Sequence, residues 1–280
     1  MGQLGFLLRI SRFRFWIYTA GTFVVGYALG ASSLEDFFRP EYFAFLLYFF
    51  VPANIFIYGV NDYFDRDTDA LNPKKGSMEH LVVDQERRAL SLSLWAIALL
   101  SGALMLLLDI TGAVLFLLFL LLSYFYSAPP LRFKSKPFLD FSSNILYVMP
   151  GILAFYLASG ELPSLWLIVA GFLHIAAMHL FSAIPDIDCD RQAGINTTAV
   201  LLGRTPSLLL CLAFWSGLAV LALLLSGGHP LALFALLYPA VPLCLLLFRT
   251  WRVETVYWYL PYLNTILGGM LFTVLVLYMV

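Results

Sequence analysis

Residues 61–69 read NDYFDRDTD, directly after the apolar run EYFAFLLYFFVPANIFIYGV at 41–60. Four aspartates therefore fall within nine residues. If a helix continues through this stretch at about 100° per residue, Asp62 and Asp69 lie about 20° apart and Asp65 about 60° from Asp62, on one acidic face, while Asp67 points about 140° away. Asn54, Tyr58 and Asn61 lie near the same stripe and lead polar groups back into the apolar run. A second cluster, DIDCD, occupies 186–190. Asp186 and Asp190 are four residues apart on one helical face, about 40° from each other, and Asp188 points away. His179 and Ser182 share the Asp186 side.

Such clusters are costly unless something offsets them. Carboxylates about 5 Å apart repel by roughly 3 kcal/mol per pair at an effective dielectric of about 20. A helix C-terminus also carries partial negative charge, and an unneutralised cluster takes up protons. A divalent cation removes all three problems, and oxygen-only ligands favour Mg²⁺ or Ca²⁺ over zinc or copper. Neither cluster is a calcium loop. Counting from Asp65, the sixth and twelfth positions are Ala70 and Gly76; from Asp186 they are Arg191 and Thr197, where the loop needs Gly and Glu. Mg²⁺ is commonly held by one or two carboxylates together with substrate phosphates. Asp62, Asp65, Asp69, Asp186 and Asp190 are thus candidate metal ligands, with a diphosphate bridging the clusters. Cations for that diphosphate are at hand in Lys74 and Lys75, in Arg191, and in Arg132 and Lys134 of YSAPPLRFKSKP, residues 126–137. Arginine grips phosphate through a planar fork, and lysine acts as a point charge.

The elements that carry these residues are membrane helices. Of 280 residues, 61% are hydrophobic and 12% charged, with a mean hydropathy of +0.88; a soluble domain has about 45–50% apolar and about 25% charged residues. The pattern predicts an all-α polytopic membrane protein with nine transmembrane helices at 13–31, 41–61, 89–108, 111–127, 140–159, 164–184, 206–226, 230–248 and 257–279. With the N-terminus in the cytoplasm, 15 of the 16 basic residues fall on the cytoplasmic side, Arg39 being the exception. This alternation predicts a cytoplasmic N-terminus, a C-terminus on the opposite side, and catalytic loops at 62–88, 128–139 and 185–205. Residues 1–280 read as one membrane domain of two four-helix halves, 13–127 and 140–248, plus a ninth helix. The clusters end the second and sixth spans, which run in the same direction. The first apolar run has no small-residue cleavage site. The three cysteines have no metal-ligand spacing, and a net charge of −1 suggests no nucleic-acid partner.

With these features assembled, the chain resembles a known family. NDYFDRDTD resembles the N-D-x-x-D-x-x-x-D signature of the UbiA superfamily of intramembrane prenyltransferases, DIDCDRQAG its second D-x-x-x-D motif, and YSAPPLR the segment after its fourth helix. The resemblance implies helices around a central lipid-accessible cavity, with both motifs holding Mg²⁺ on a prenyl diphosphate donor. By match, Asn61, Asp62, Asp65 and Asp69 form the first motif and Asp186 and Asp190 the second. The chain departs from the common pattern after each motif. LNPKKGSMEH stands where many members have R-T-x-x-R-P, and Gly194-Ile195-Asn196-Thr197-Thr198 replaces Gly-x-Lys-Thr. NPKKG and AGINTTAVLLG instead resemble the carotenoid branch, the lycopene elongases, which implies lycopene as acceptor and a dimethylallyl donor.

Transfer of this kind passes through an allylic cation, which the pocket must shield from water and which ring faces attract. Tyr58, Tyr124, Tyr126 and Tyr147 are candidate walls. Asn54, Asn144 and His179 are candidate polar pocket residues, and His174 reads as packing. Alternatives are an aromatic quinone precursor or a glyceryl-phosphate lipid as acceptor, and, in another class, a cation transporter. A transporter would carry its acids near the bilayer midplane on discontinuous helices, whereas these stand at cytoplasmic helix ends beside basic residues suited to an anion.

Overall fold

The computed structural model describes residues 3–65, 80–248 and 250–280, and among these residues every regular element is helical. Eight helical runs are long and apolar enough to cross a membrane: Pro40–Phe64, Asp84–Met105, Ile110–Ser127, Leu139–Ser159, Leu165–Gln192, Arg204–Leu225, Pro230–Leu247 and Val253–Leu277. They correspond in order to the expected second to ninth spans. The expected first span, 13–31, is helical in two pieces, a 3-10 helix Phe13–Tyr18 and an α-helix Ala20–Gly30, broken at Thr19. Eight of the nine expected spans thus have a run long and apolar enough to cross, and the first, at 13–31, is helical but broken.

In chain order the α-helices are α1 (Gln3–Ile10), α2 (Ala20–Gly30), α3 (Pro40–Phe50), α4 (Pro52–Phe64), α5 (Arg87–Met105), α6 (Ile110–Ser127), α7 (Leu139–Ser142), α8 (Met149–Ser159), α9 (Leu165–Ala183), α10 (Ile187–Gln192), α11 (Thr198–Leu202), α12 (Arg204–Leu225), α13 (Leu237–Leu247) and α14 (Val253–Leu277). Residues 1–132, 149–162 and 271–280 form one compact unit; 133–148 and 163–270 form another. α8 and the end of α14 belong to the first unit.

Local chemistry explains the breaks. The second span is interrupted at Val51 because Pro52 has no N–H and its ring opposes the carbonyl four residues back. The carbonyls released there must find donors, since lipid offers none. Thr19 Oγ1 donates to the Phe49 carbonyl at 2.7 Å, and Asn54 Nδ2 donates to the carbonyls of Phe49 and Phe50, both at 2.9 Å. Helix starts are capped in the usual way: Asp109 accepts from the Gly112 N–H at 2.9 Å ahead of α6, and Ser164 from the Leu167 N–H at 3.3 Å ahead of α9.

In the first unit α2 packs on α8, and α4 packs on α5 and α6. The α2–α8 approach needs glycine. A Cβ on Gly26 would stand 2.2 Å from the Gly151 carbonyl oxygen, and one on Gly30 would stand 2.6 Å from that of Phe155. Gly26 and Gly30 form a G-x-x-x-G pair, which lets helices close to backbone contact where no hydrophobic force between them exists in lipid. In the second unit α9 packs on α12 and α12 on α13. Large apolar side chains such as Leu99, Leu224 and Ile266 stay exposed, as lipid-facing residues do.

Candidate active site

The C-terminal turn of α4 carries the first cluster, and burial separates its members sharply. Asp62 is 4% exposed and Asp65, at the helix C-cap, 1%. Each meets an arginine from a distant part of the chain. Arg12 Nη2 lies 2.7 Å from Asp62 Oδ1, and Arg132 Nη2 lies 3.0 Å from Asp65 Oδ1. The other oxygen of Asp65 accepts from Asn61 Nδ2 at 2.6 Å, and the same Asn61 amide donates to Ser127 Oγ at 3.0 Å. The guanidinium of Arg12 also stands 4.6 Å from the centre of the Tyr58 ring. Tyr58, Asn61, Asp62 and Asp65 are thus gathered at one helix end, as the helical spacing requires.

Both arginines hold backbone that L-residues rarely adopt, with φ of 49° at Arg12 and 40° at Arg132. Strain of this sort persists where surrounding contacts over-determine it, and such positions cluster at functional sites. A buried carboxylate left without its cation is strongly destabilising, so the pairs hold the two turns in place. Arg12 was counted in the sequence only toward cytoplasmic charge. Nothing local marks it, because it lies 50 residues from its partner.

In the second unit, the 3-10 turn Ile184–Asp186 and α10 carry the other cluster. Asp186 and Asp190 are half-buried. Asp188 is 89% exposed in its side chain and pairs with Arg191 at 3.2 Å, which agrees with its place off the acidic face. Arg191 is itself exposed. Lys134 lies half-buried on the 3-10 helix Phe133–Ser135.

The remaining expected pocket residues divide. Asn54 is fully buried, and its amide serves the carbonyls freed at Pro52 and the hydroxyl of Thr19 at 2.7 Å; its polarity belongs to the break in the helix. Asn144 donates to the Asp140 carbonyl at 2.5 Å within its own helical turn. Tyr124 is exposed and packs edge-on against Phe64 and Phe125. Tyr126, Tyr147 and His179 are half-buried. His174 sits between Trp215, whose Nε1 donates to His174 Nδ1 at 3.3 Å, and the Tyr238 ring at 4.7 Å, in keeping with packing. Asp69, Lys74 and Lys75 lie outside the described residues.

Among the described residues no three His, Cys, Asp or Glu side chains come together as a complete metal cage. The residues present still fit Mg²⁺. Asp62 and Asp65 supply only hard oxygen donors, and that ion takes one or two carboxylates and completes its shell with water and substrate phosphate.

Comparison with known proteins places the chain among characterised relatives. Residues 19–258 match the UbiA prenyltransferase family. The lycopene elongase/hydratase of Haloarcula japonica is 40% identical over 98% of this chain and 92% of its own length. That of Haloferax volcanii is 42% identical over 95% and 87%. A UbiA homolog from Archaeoglobus fulgidus, solved with DMAPP and Mg²⁺, has a TM-score of 0.68 at 23% identity, covering 96% of this chain and 99% of the homolog.

Proposed function

The chain belongs to the UbiA prenyltransferase family, and on that premise we propose that it elongates lycopene with a dimethylallyl group taken from dimethylallyl diphosphate. It is a multi-pass membrane enzyme that transfers prenyl groups. Identity of 40% to a lycopene elongase/hydratase along 98% of the chain is the observation that carries the acceptor. The solved homolog with DMAPP and Mg²⁺ supports the donor and the metal.

Asp62, Asp65 and Asp69 of the first motif, with Asp186 and Asp190 of the second, would hold Mg²⁺ together with the donor's diphosphate. When bound, the ion supplies Lewis acidity and offsets the negative charge of the leaving group. Arg132, Lys134, Lys74, Lys75 and Arg191 add fixed positive charge toward the same oxygens, where preorganised charge lowers the barrier most. The buried Arg12–Asp62 and Arg132–Asp65 pairs support this reading, because they hold both carboxylates in fixed orientation. Asn61, bonded to Asp65 and Ser127, fixes the angle of that carboxylate.

The allylic C–O bond breaks with its electron pair going to diphosphate. A terminal double bond of lycopene then donates its π pair to the allylic cation, and a C–C bond forms. The new cation on the acceptor loses a proton to the released diphosphate, or takes water and then loses a proton, which yields the hydrated product. Tyr58, Tyr126 and Tyr147 supply ring faces suited to such cations. We place the N-terminus and the loops that carry both motifs on the cytoplasmic side, following the distribution of basic residues.

The test is expression in a lycopene-producing host with mass analysis of the carotenoids. Products one or two five-carbon units longer than lycopene are expected. Unchanged lycopene, alongside prenylation of a phenolic or glyceryl-phosphate acceptor by the purified enzyme, would overturn the assignment.

A further inference from the structure

Asp140 is an ionisable residue at the start of the fifth span that the mechanism does not use, yet it is fully buried. Thr198, from the segment after the second aspartate motif, is fully buried against it. The Thr198 N–H donates to Asp140 Oδ2 at 2.6 Å, and its hydroxyl donates to Oδ1 at 2.5 Å. The Phe141 N–H donates to Oδ1 as well, at 2.9 Å. The same Thr198 hydroxyl accepts from the Phe138 N–H at 2.6 Å. Phe138 has φ of 67°, a left-handed conformation that is a true outlier for a bulky side chain. It is half-exposed, and its backbone N–H is held by the Thr198 hydroxyl.

Two loops meet at this pair. Upstream, the Asp140 N–H donates to the Lys136 carbonyl at 2.9 Å and the Lys136 N–H to the Phe133 carbonyl at 3.0 Å, which closes the turn that holds Lys134. Downstream, α10 ends in a turn whose Ile195 N–H donates back to the Asp190 carbonyl at 2.8 Å. Thr197 then caps α11, and Thr198 is its first residue. Hydrogen bonds thus lead from the Lys134 turn to Asp140 and Thr198, and Thr198 stands three residues along the chain from Ile195, which is bonded to the backbone of Asp190. His179 stands within reach of the Asp140 charge on the same unit.

We infer that the Asp140–Thr198 pair is a positioning lock that holds the basic loop carrying Lys134 in fixed register with the segment carrying Asp186 and Asp190. It rests on the reading of Lys134 and the second motif as donor-binding groups. Neither Asp140 nor Thr198 touches substrate; they act through the residues they hold.

The experiment uses full-length enzyme with dimethylallyl diphosphate and lycopene. Thr198→Val keeps shape and the backbone bond to Asp140 but removes the hydroxyl that joins Asp140 to Phe138. Loss of an outer partner of this kind costs about tenfold or more in ligand affinity. The donor KM should rise by about that factor while kcat stays within about threefold and the lycopene KM is unchanged. Thr198→Ser should restore the donor KM. Should Thr198→Val fail to fold, Asp140→Asn, which places an amide donor against a donor, is read for the same split. Asp190→Ala is run in parallel. Inactive Asp190→Ala beside a Thr198→Val enzyme with unchanged donor KM overturns the lock alone. Wild-type turnover by Asp190→Ala overturns the underlying reading, and the lock with it. A loss confined to kcat, or to the yield of folded protein, also overturns the lock.

Discussion

At the scale of single residues, two carboxylates in sequence motifs become two ion pairs in space. Asp62 and Asp65 lose nearly all contact with solvent, and Arg12 and Arg132 offset the charge that the motif concentrates. Truncating Arg12 to Ala removes the guanidinium 2.7 Å from the buried Asp62 carboxylate, and breaking such a pair costs about 3–5 kcal/mol. Arg12→Ala should therefore lower the thermal midpoint in detergent markedly, whereas Arg12→Lys, which keeps the charge but not the planar fork, should recover part of the loss. Asp62→Ala or Asp186→Ala should reduce turnover by about a hundredfold or more, because each would hold the ion that offsets charge on the leaving diphosphate. Chelation by EDTA should abolish turnover, and Mg²⁺ should restore it. Asp188→Ala should do much less, because that side chain is 89% exposed and pairs only locally with Arg191. Helical spacing alone separated Asp188 from Asp186 and Asp190, whereas Asp67 lies outside the described residues. It could not reveal Arg12, because contact between residues 50 apart depends on how helices fold back.

At the scale of elements, polar and small residues inside apolar runs mark breaks and close approaches as much as sites. Asn54 looked like a polar lead into the pocket. It is instead the donor that a proline-interrupted helix requires. Asn54→Leu should take the side-chain donor from the Phe50 carbonyl and leave that of Phe49 with Thr19 alone, a penalty of about 1–3 kcal/mol for an orphaned group, read as a lower thermal midpoint. Gly26→Leu should drive α2 from α8, since even a Cβ there meets the Gly151 carbonyl oxygen at 2.2 Å; overpacking costs about 1–3 kcal/mol. The 3-10 turn Leu34–Phe38 carries its own pH response. The backbone N–H of Ser32 holds the Asp36 carboxyl below its ordinary value, helped by the Ser33 N–H and by Arg39. A lowered carboxyl contributes stability in full above the ordinary value of about 4 and loses it as the pH falls through the depressed one. Asp36→Asn should flatten the acid side of the thermal stability profile, measured between about pH 5 and pH 2.

At the scale of the molecule, the count of spans sets the sidedness of the chain. On the nine-span reading, the eight long runs and the broken stretch at 13–30 would carry the N-terminus and the C-terminus to opposite sides of the membrane. A fluorescent protein that matures only in the cytoplasm should be bright when fused after residue 205 and dark when fused after Val280. Equal brightness at both positions would mean that the three runs between residue 205 and Val280 do not all cross. Apolar run lengths, the asymmetry of Lys and Arg, and the spacing of the aspartates were all legible beforehand, because bilayer thickness, membrane sidedness and the helical repeat act on short stretches of chain. That is how the fold class, the spans and the acidic faces came from sequence alone. The partners of Asp62, Asp65 and Asp140, the service of Asn54 to a broken helix and the glycine contact between α2 and α8 waited for the tertiary structure. Each joins segments far apart in the chain, and such contacts are chosen by packing in three dimensions, which no local pattern encodes.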